Sequence, residues 1–132
     1  MPSPSSLLHS LGRAAAGGAL LSLIALGAAH AQDAAKGHDT FAAMCSGCHS
    51  DVKDDNGAKL SLFGVVGRKA GSVADFTYSP AMTASGITWT PDKIDAFIAS
   101  PNAVVSGTAM YFGGLSDPAD RANVIAYLKT LK

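Results

Sequence analysis

The chain contains two cysteines, Cys45 and Cys48, and His49 directly follows the second of them. Thiolates are nucleophiles and soft metal ligands, and imidazole is a base and the commonest metal ligand. The run Cys45-Ser46-Gly47-Cys48-His49 has the form Cys-x-x-Cys-His, the attachment sequence of c-type haem. On a helix, positions i, i+3 and i+4 share one face. Both thiols can then meet the two vinyl groups on one edge of a porphyrin while the imidazole is aimed at the iron. Two other chemistries use the same residue types. A thiol-disulfide oxidoreductase expects a βαβ setting around its Cys-x-x-Cys, and the flanking sequence shows none. A zinc site needs a fourth ligand, and two thiols with His49 supply three.

What surrounds the motif must position it. The chain has 132 residues, 48% of them hydrophobic, with ten Lys+Arg against ten Asp+Glu, which bounds it to one globular domain. Residues 1–31 read as a cleaved secretory signal peptide. His9 and Arg13 lie in a polar start, an apolar stretch runs from Ala14 to Ala29, and Ala29-His30-Ala31 puts small residues where a signal peptidase reads. The stretch is too short and too glycine-rich for a good transmembrane helix. Cleavage after Ala31 leaves a domain over residues 32–132 and sends it to the periplasm, with no stable membrane insertion. Loss of Arg13 tips the mature balance slightly acidic, which argues against nucleic acid or an anionic membrane as partner. In an oxidising compartment two cysteines ordinarily pair. The adjacent His49 gives these two another use.

Three segments open alike. Ser79-Pro80, Thr90-Pro91 and Asp117-Pro118 each put a capping side chain before a proline suited to the first helical position. Ile94, Phe97 and Ile98 then mark a short helix that stops at Ser100-Pro101, and Val124, Ile125, Leu128 and Leu131 mark an amphipathic C-terminal helix. Asp33 can cap a helix running through Phe41 and Met44 into the cysteine motif. Gly37 costs that helix propensity, and its bare backbone allows another helix to cross closely. Ser79 to Ala84 reads as one or two helical turns. Glycine-rich stretches separate these helices, and no strand pattern of useful length is present. The expected fold class is all-α, with three main helices, short helical turns and loops. A domain of about 100 residues buries only roughly two-thirds of its unfolded surface. A large flat apolar cofactor at the centre would complete so loop-rich a core.

With His49 on one face of the iron, His38, Met44, Met82 and Met110 are the candidates for the other, beside no ligand at all. Met44 adjoins Cys45 and cannot reach the opposite face. His38 reads as a solvated residue two turns before the motif, and Met82 as core packing in its short helix. Met110 lies in a glycine-flanked loop far enough along the chain to wrap round.

At this point the chain resembles the class I c-type cytochromes of the mitochondrial and bacterial soluble type. The resemblance rests on Cys45-Ser-Gly-Cys-His49, Leu62-Phe-Gly-Val-Val-Gly-Arg68, Phe76-Thr-Tyr78-Ser-Pro, Gly86-Ile-Thr-Trp89-Thr-Pro, Gly107-Thr-Ala-Met110 and Arg121-Ala-Asn-Val-Ile-Ala-Tyr127-Leu-Lys, in order along the mature chain. It implies the small cytochrome c fold wrapped around one covalently bound haem c. His49 and Met110 become axial ligands and Cys45 and Cys48 thioether anchors. Arg68, Tyr78 and Trp89 become the hydrogen-bonding shell of the buried propionates, which need such partners because an unpaired buried charge is costly. Gly37 and Phe41 would meet Tyr127 where the first and last helices cross. Three positions depart from the family pattern. Lys59-Leu60 stands where Gly-Pro is usual, although a leucine carbonyl can accept the same bond from the ligand imidazole. Phe97 replaces a frequent tyrosine, and Ser106 a frequent proline.

The resemblance implies a soluble, monomeric one-electron carrier that serves redox partner proteins and is not an enzyme. Met44, Asn102 and Ala109 flank the haem motifs and none is basic, so docking should lean on apolar contact more than on charge. A dedicated cytochrome subunit of a periplasmic dehydrogenase would use the same chemistry. A haem enzyme or gas-binding protein would require that Met110 not ligate.

Overall fold

The computed structural model describes residues 31–132, so the expected leader, apart from Ala31, lies outside the described residues. Helix α1 (Ala34–Met44) begins where the Asp33 carboxylate accepts hydrogen bonds from the Ala35 and Lys36 amides at 2.9 and 3.2 Å. Two helices with proline in their first turn follow, α2 (Pro80–Ala84) and α3 (Pro91–Ala99). The Ser79 hydroxyl caps α2 by accepting from the Met82 amide at 3.2 Å, and the Thr90 hydroxyl caps α3 from Lys93 at 3.3 Å. Helix α4 (Pro101–Val104) was not anticipated. The Ser100-Pro101 pair that stops α3 also starts it, because proline cannot continue a helix yet has the backbone angle that opens one. Helix α5 (Pro118–Leu128) is capped by Asp117, whose side chain accepts from Ala119 at 2.8 Å. It ends at Leu128, so Leu131 lies beyond the helix but still packs against the core.

The core sits where α1 crosses α5 and where α3 packs against α5. A Cβ on Gly37 would lie 1.9 Å from the Asn123 carbonyl oxygen and 2.9 Å from Tyr127 Cβ. Only glycine lets the two backbones approach so closely. One turn on, Phe41 is buried and its ring centroid lies 5.5 Å from that of Tyr127. The Asp33 amide donates to Asn123 Oδ1 at 2.9 Å, fixing the start of α1 against α5. Ile94 and Phe97 of α3 and Val124, Ile125 and Leu128 of α5 supply the buried faces read from the sequence. Arg121 fastens α5 to α3 through Asp95 (2.8 Å) and to the preceding loop through the Leu115 and Ser116 carbonyls (3.0 and 2.9 Å).

The regular structure of the described residues is almost all helical. Their one sheet pairs β1 (His49–Ser50) with β2 (Leu60–Ser61) in parallel, with His49 opposite Leu60 and Ser50 opposite Ser61. Two residues are too few to show alternation, so no sequence pattern reveals such a ladder. Its place matters, because it begins on the histidine of the motif.

Candidate functional site

The motif does not lie on a regular helix, as the i, i+3, i+4 argument expected. Helix α1 stops at Met44 and the motif continues in turns. The Cys45 and Ser46 amides both donate to the Phe41 carbonyl, at 2.8 and 3.0 Å, and the Cys48 and His49 amides both donate to that of Cys45, at 3.1 and 2.9 Å. The five-residue reach from Ser46 back to Phe41 widens the last coil and ends the regular ladder. The turns keep the one-sided placement all the same: Cys45, Cys48 and His49 line a single cavity of about 400 Å³. That volume falls within the roughly 300–1,000 Å³ of small-molecule and cofactor sites.

His49 is oriented from behind. Its Nδ1 lies 3.2 Å from the carbonyl oxygen of Leu60, its partner across the ladder. A carbonyl only accepts, so Nδ1 carries the proton and Nε2 keeps its lone pair. Burial pulls the His49 pKa below its ordinary value; the Leu60 bond opposes that, and the charge of Arg68 adds to it. The ring is therefore neutral at pH 7, the form that ligates a metal. Leu60 thus makes the carbonyl contact that the departure at Lys59-Leu60 had put in question.

Cys45 and Cys48 are both free thiols. Burial pushes the Cys45 thiol above its usual pKa, whereas Cys-x-x-Cys oxidoreductases depend on a lowered one. The two-residue parallel ladder is also no βαβ unit. Both findings count against disulfide exchange.

Three methionines reach the cavity wall: Met44, Met82 and Met110. Met44 is 52% exposed beside Cys45, and Met82 is buried within α2. Met110 is half-buried at the end of a loop with its own supports. The Gly107 amide donates to Asn102 Oδ1 at 3.1 Å, and the Met110 amide to Thr108 Oγ1 at 3.2 Å. Gly107 holds a φ of +85°, which a side-chain-bearing residue rarely adopts. His38 is exposed on α1, with its ring edge-on to Tyr127 at 5.2 Å, and does not line the cavity.

Arg68, Tyr78 and Trp89 all stand on the same wall. The Trp89 amide donates to the Arg68 carbonyl at 2.9 Å, and the Trp89 ring packs on Phe97 with centroids 4.9 Å apart. Arg68 donates through its guanidinium to the Phe63 and Ser61 carbonyls at 3.1 and 3.0 Å. The Tyr78 hydroxyl accepts from the Val73 amide at 3.4 Å. Sequence reasoning missed two side-chain contacts beside the motif. The Tyr127 hydroxyl donates to Asp51 Oδ2 at 2.5 Å, and Lys59 Nζ donates to the Ser46 carbonyl. Each pair is separated in sequence and joined only by the fold, so no local signal marked these bonds.

Two free thiols, a neutral imidazole with one nitrogen anchored behind it and a thioether converge on an apolar cavity. That donor set fits a covalently held haem. The comparisons agree. The family model described as cytochrome C oxidase, cbb3-type, subunit III matches residues 32–128. Cytochrome c2 of Rhodopila globiformis is 44% identical over 106 residues, covering 80% of this chain and all of that protein. Cytochrome c of Trypanosoma brucei brucei is 49% identical over 77 residues, covering 58% of this chain and 83% of its own. The solved structure of cytochrome cH from Methylobacterium extorquens superposes with a TM-score of 0.69 at 44% identity, over 74% of this chain and 98% of that one. The chain belongs to the class I c-type cytochromes, electron carriers rather than enzymes, with one covalently attached haem c.

Proposed function

We propose that this cytochrome is a soluble, monomeric one-electron carrier of the periplasm, exported by a leader cleaved after Ala31. Cys45 and Cys48 would hold the haem covalently through thioethers, and His49 and Met110 would ligate its iron. The haem supplies a one-electron couple, and His/Met ligation sets it at a high potential. The observation that carries this reading is the His49–Leu60 contact, which fixes the imidazole tautomer on a wall shared with both thiols and Met110. The carbonyl partner also keeps the ring from rotating and raises its basicity as a ligand. Met110 is favoured over Met44 and Met82 because it is neither tethered beside Cys45 nor enclosed in a helix. Two strong ligands leave no position for an exogenous molecule, which suits transfer of an electron alone.

Arg68, Tyr78 and Trp89 form the polar edge of the site. Arg68 keeps its charge at the wall while two backbone carbonyls hold its guanidinium, a preorganised partner for a propionate. Apolar neighbours such as Phe97 and Ile94 exclude water and so disfavour the more highly charged oxidised state. The leader motif and the family match beginning at residue 32 support export. Among the described residues no helix is long and apolar enough to cross a membrane.

An absorption spectrum of protein matured with haem-attachment machinery tests the ligand set. The expected result is covalently retained haem with the weak long-wavelength band of sulfur ligation in the ferric state. Met110→Ala should abolish that band, while Met82→Leu should leave it in place. Colourless protein with free thiols, or a band indifferent to Met110→Ala, would overturn the reading.

A further inference from the structure

Lys59 occupies a place that neither the motif nor the cavity wall accounts for. Its ammonium donates to the carbonyl of Ser46, inside the cysteine turn, while the next residue along the chain is Leu60, whose carbonyl faces His49. The two ends of this connection are therefore the thiol-bearing turn and the strand that orients the imidazole.

The turn has a reason to recruit a cation. Where α1 ends, its last carbonyls carry the negative end of the helix dipole and need partners. The Ser46 hydroxyl donates to the Ala42 carbonyl at 2.6 Å, and the Cys45 carbonyl accepts from Cys48 and His49. Ser46 itself receives the lysine. A lysine at a helix C-terminus is favoured by charge and by hydrogen bonding together. The loop between the strands is short of regular structure and is closed by side chains: Asn56 Oδ1 accepts from the Ser61 amide at 3.0 Å, and the Ser61 hydroxyl donates to the Val52 carbonyl at 2.6 Å. These bonds brace the far side of β2. Lys59 adds a side-chain tie between the near side, next to Leu60, and the motif. Of the ladder's backbone bonds, Leu60 to Cys48 is the long one at 3.3 Å, against 2.7 Å from Leu62 to Ser50. The end nearest the imidazole thus has the weaker backbone bond, and Lys59 is the side chain that reinforces it.

We propose that Lys59 is a positioning residue: by clamping the Ser46 carbonyl it holds β2 against the cysteine turn, so that the Leu60 carbonyl stays on His49 Nδ1. The clamp acts through its charge and its donor rather than through its stem. It rests on the reading of His49 as the haem ligand.

Hydrogen exchange on the haem-loaded protein tests the clamp. Lys59→Met keeps the apolar stem and removes the charged donor, and Lys59→Arg keeps both. In Lys59→Met the Leu60 amide and the His49 Nδ1 proton should exchange about tenfold faster or more, the factor expected when one charge-assisted hydrogen bond ceases to oppose local opening. The Ile125 amide of α5 should be unchanged, and Lys59→Arg should restore the protection at Leu60 and His49. Wild-type exchange rates in Lys59→Met, or failure of Lys59→Arg to restore them, overturn the proposal. Failure of the ligand reading is recognised separately, by a wild-type spectrum that lacks histidine ligation whatever stands at position 59.

Discussion

Met110 depends on a loop whose Gly107 and Met110 amides donate to Asn102 Oδ1 and Thr108 Oγ1, and whose turn is made by Gly107. Ser106 lies at the centre of that loop and its own backbone is free to sample many conformations when the methionine lets go. Val105 before it has φ −127° and ψ 88°, outside the helical region that a following proline disfavours. A proline at 106 would therefore restrict the open loop more than the closed one, an effect worth about 0.4–1 kcal/mol where the geometry is compatible. Imidazole should accordingly displace Met110 about two- to fivefold less readily in Ser106→Pro than in the natural chain, by the same entropy argument. A titration followed at the sulfur-ligation band measures this, and equal or greater resistance in the natural chain contradicts it. At this scale the sequence was informative wherever chemistry is local. Cys45, Cys48, His49, Met110, Arg68, Tyr78 and Trp89 were all named before the fold, and all reach one cavity. The contacts of Lys59 and Asp51 were not legible, since their partners Ser46 and Tyr127 are brought to them only by the folded chain.

Among the elements, the crossing of α1 and α5 holds the molecule together, and Gly37 is its tightest point. An alanine methyl there would sit within bonding range of the Asn123 carbonyl, so the helices must separate. Overpacking of this kind costs roughly 3 kcal/mol. At about 4–8 °C per kcal/mol for a domain of this size, Gly37→Ala should lower the haem-loaded protein's Tm by well over about 10 °C. A thermal melt within a few degrees of the parent would mean that the helices do not meet as described. Helix α5 is tied a second time, where Tyr127 donates to Asp51 just beyond the motif. Partial burial, then the Asp51 hydrogen bond and charge, raise the tyrosine pKa to about 12. An unfolded tyrosine titrates near 10, so the folded state favours the protonated phenol. The stabilisation is complete below about pH 10 and is lost as pH rises toward about 12. Urea midpoints measured across that range should fall, and in Asp51→Asn the fall should be smaller and end at lower pH, because the charge that raises the folded pKa is gone while the burial remains. A pH-independent midpoint would remove Tyr127 from the account. The helix starts were legible because Asp33, Ser79, Thr90 and Asp117 act locally on the next turn. The β1–β2 ladder and α4 were not: each is too short for periodicity, and the ladder exists because Leu60 must face His49.

For the whole molecule, the distribution of charge decides how it meets another protein. Near the cavity mouth Tyr111 is 97% exposed and Met44 52% exposed, both on the cavity wall, and the neighbouring Asn102 and Ala109 are exposed and uncharged. Among the described residues, no lysine lines the cavity. Lys59 is held by Ser46, and Lys53 stands over a separate groove shared with Asp54 and Asp75. A ring of like charge would speed association by about 10- to 1,000-fold at low salt and lose that gain as ions screen it. An apolar mouth works differently. Aromatic anchors such as an exposed tyrosine contribute most when they are fully desolvated in the contact, and burial of apolar area is insensitive to ordinary salt. Electron-transfer rates with the natural partner should therefore change by less than about tenfold between low and high ionic strength, below what steered pairs show. Tyr111→Ser should slow the second-order rate at every ionic strength, whereas Lys53→Gln should leave it nearly unchanged. Stopped-flow kinetics across a salt series reads both. A steep fall with salt, or a larger loss from Lys53→Gln than from Tyr111→Ser, would place the contact on a charged face instead.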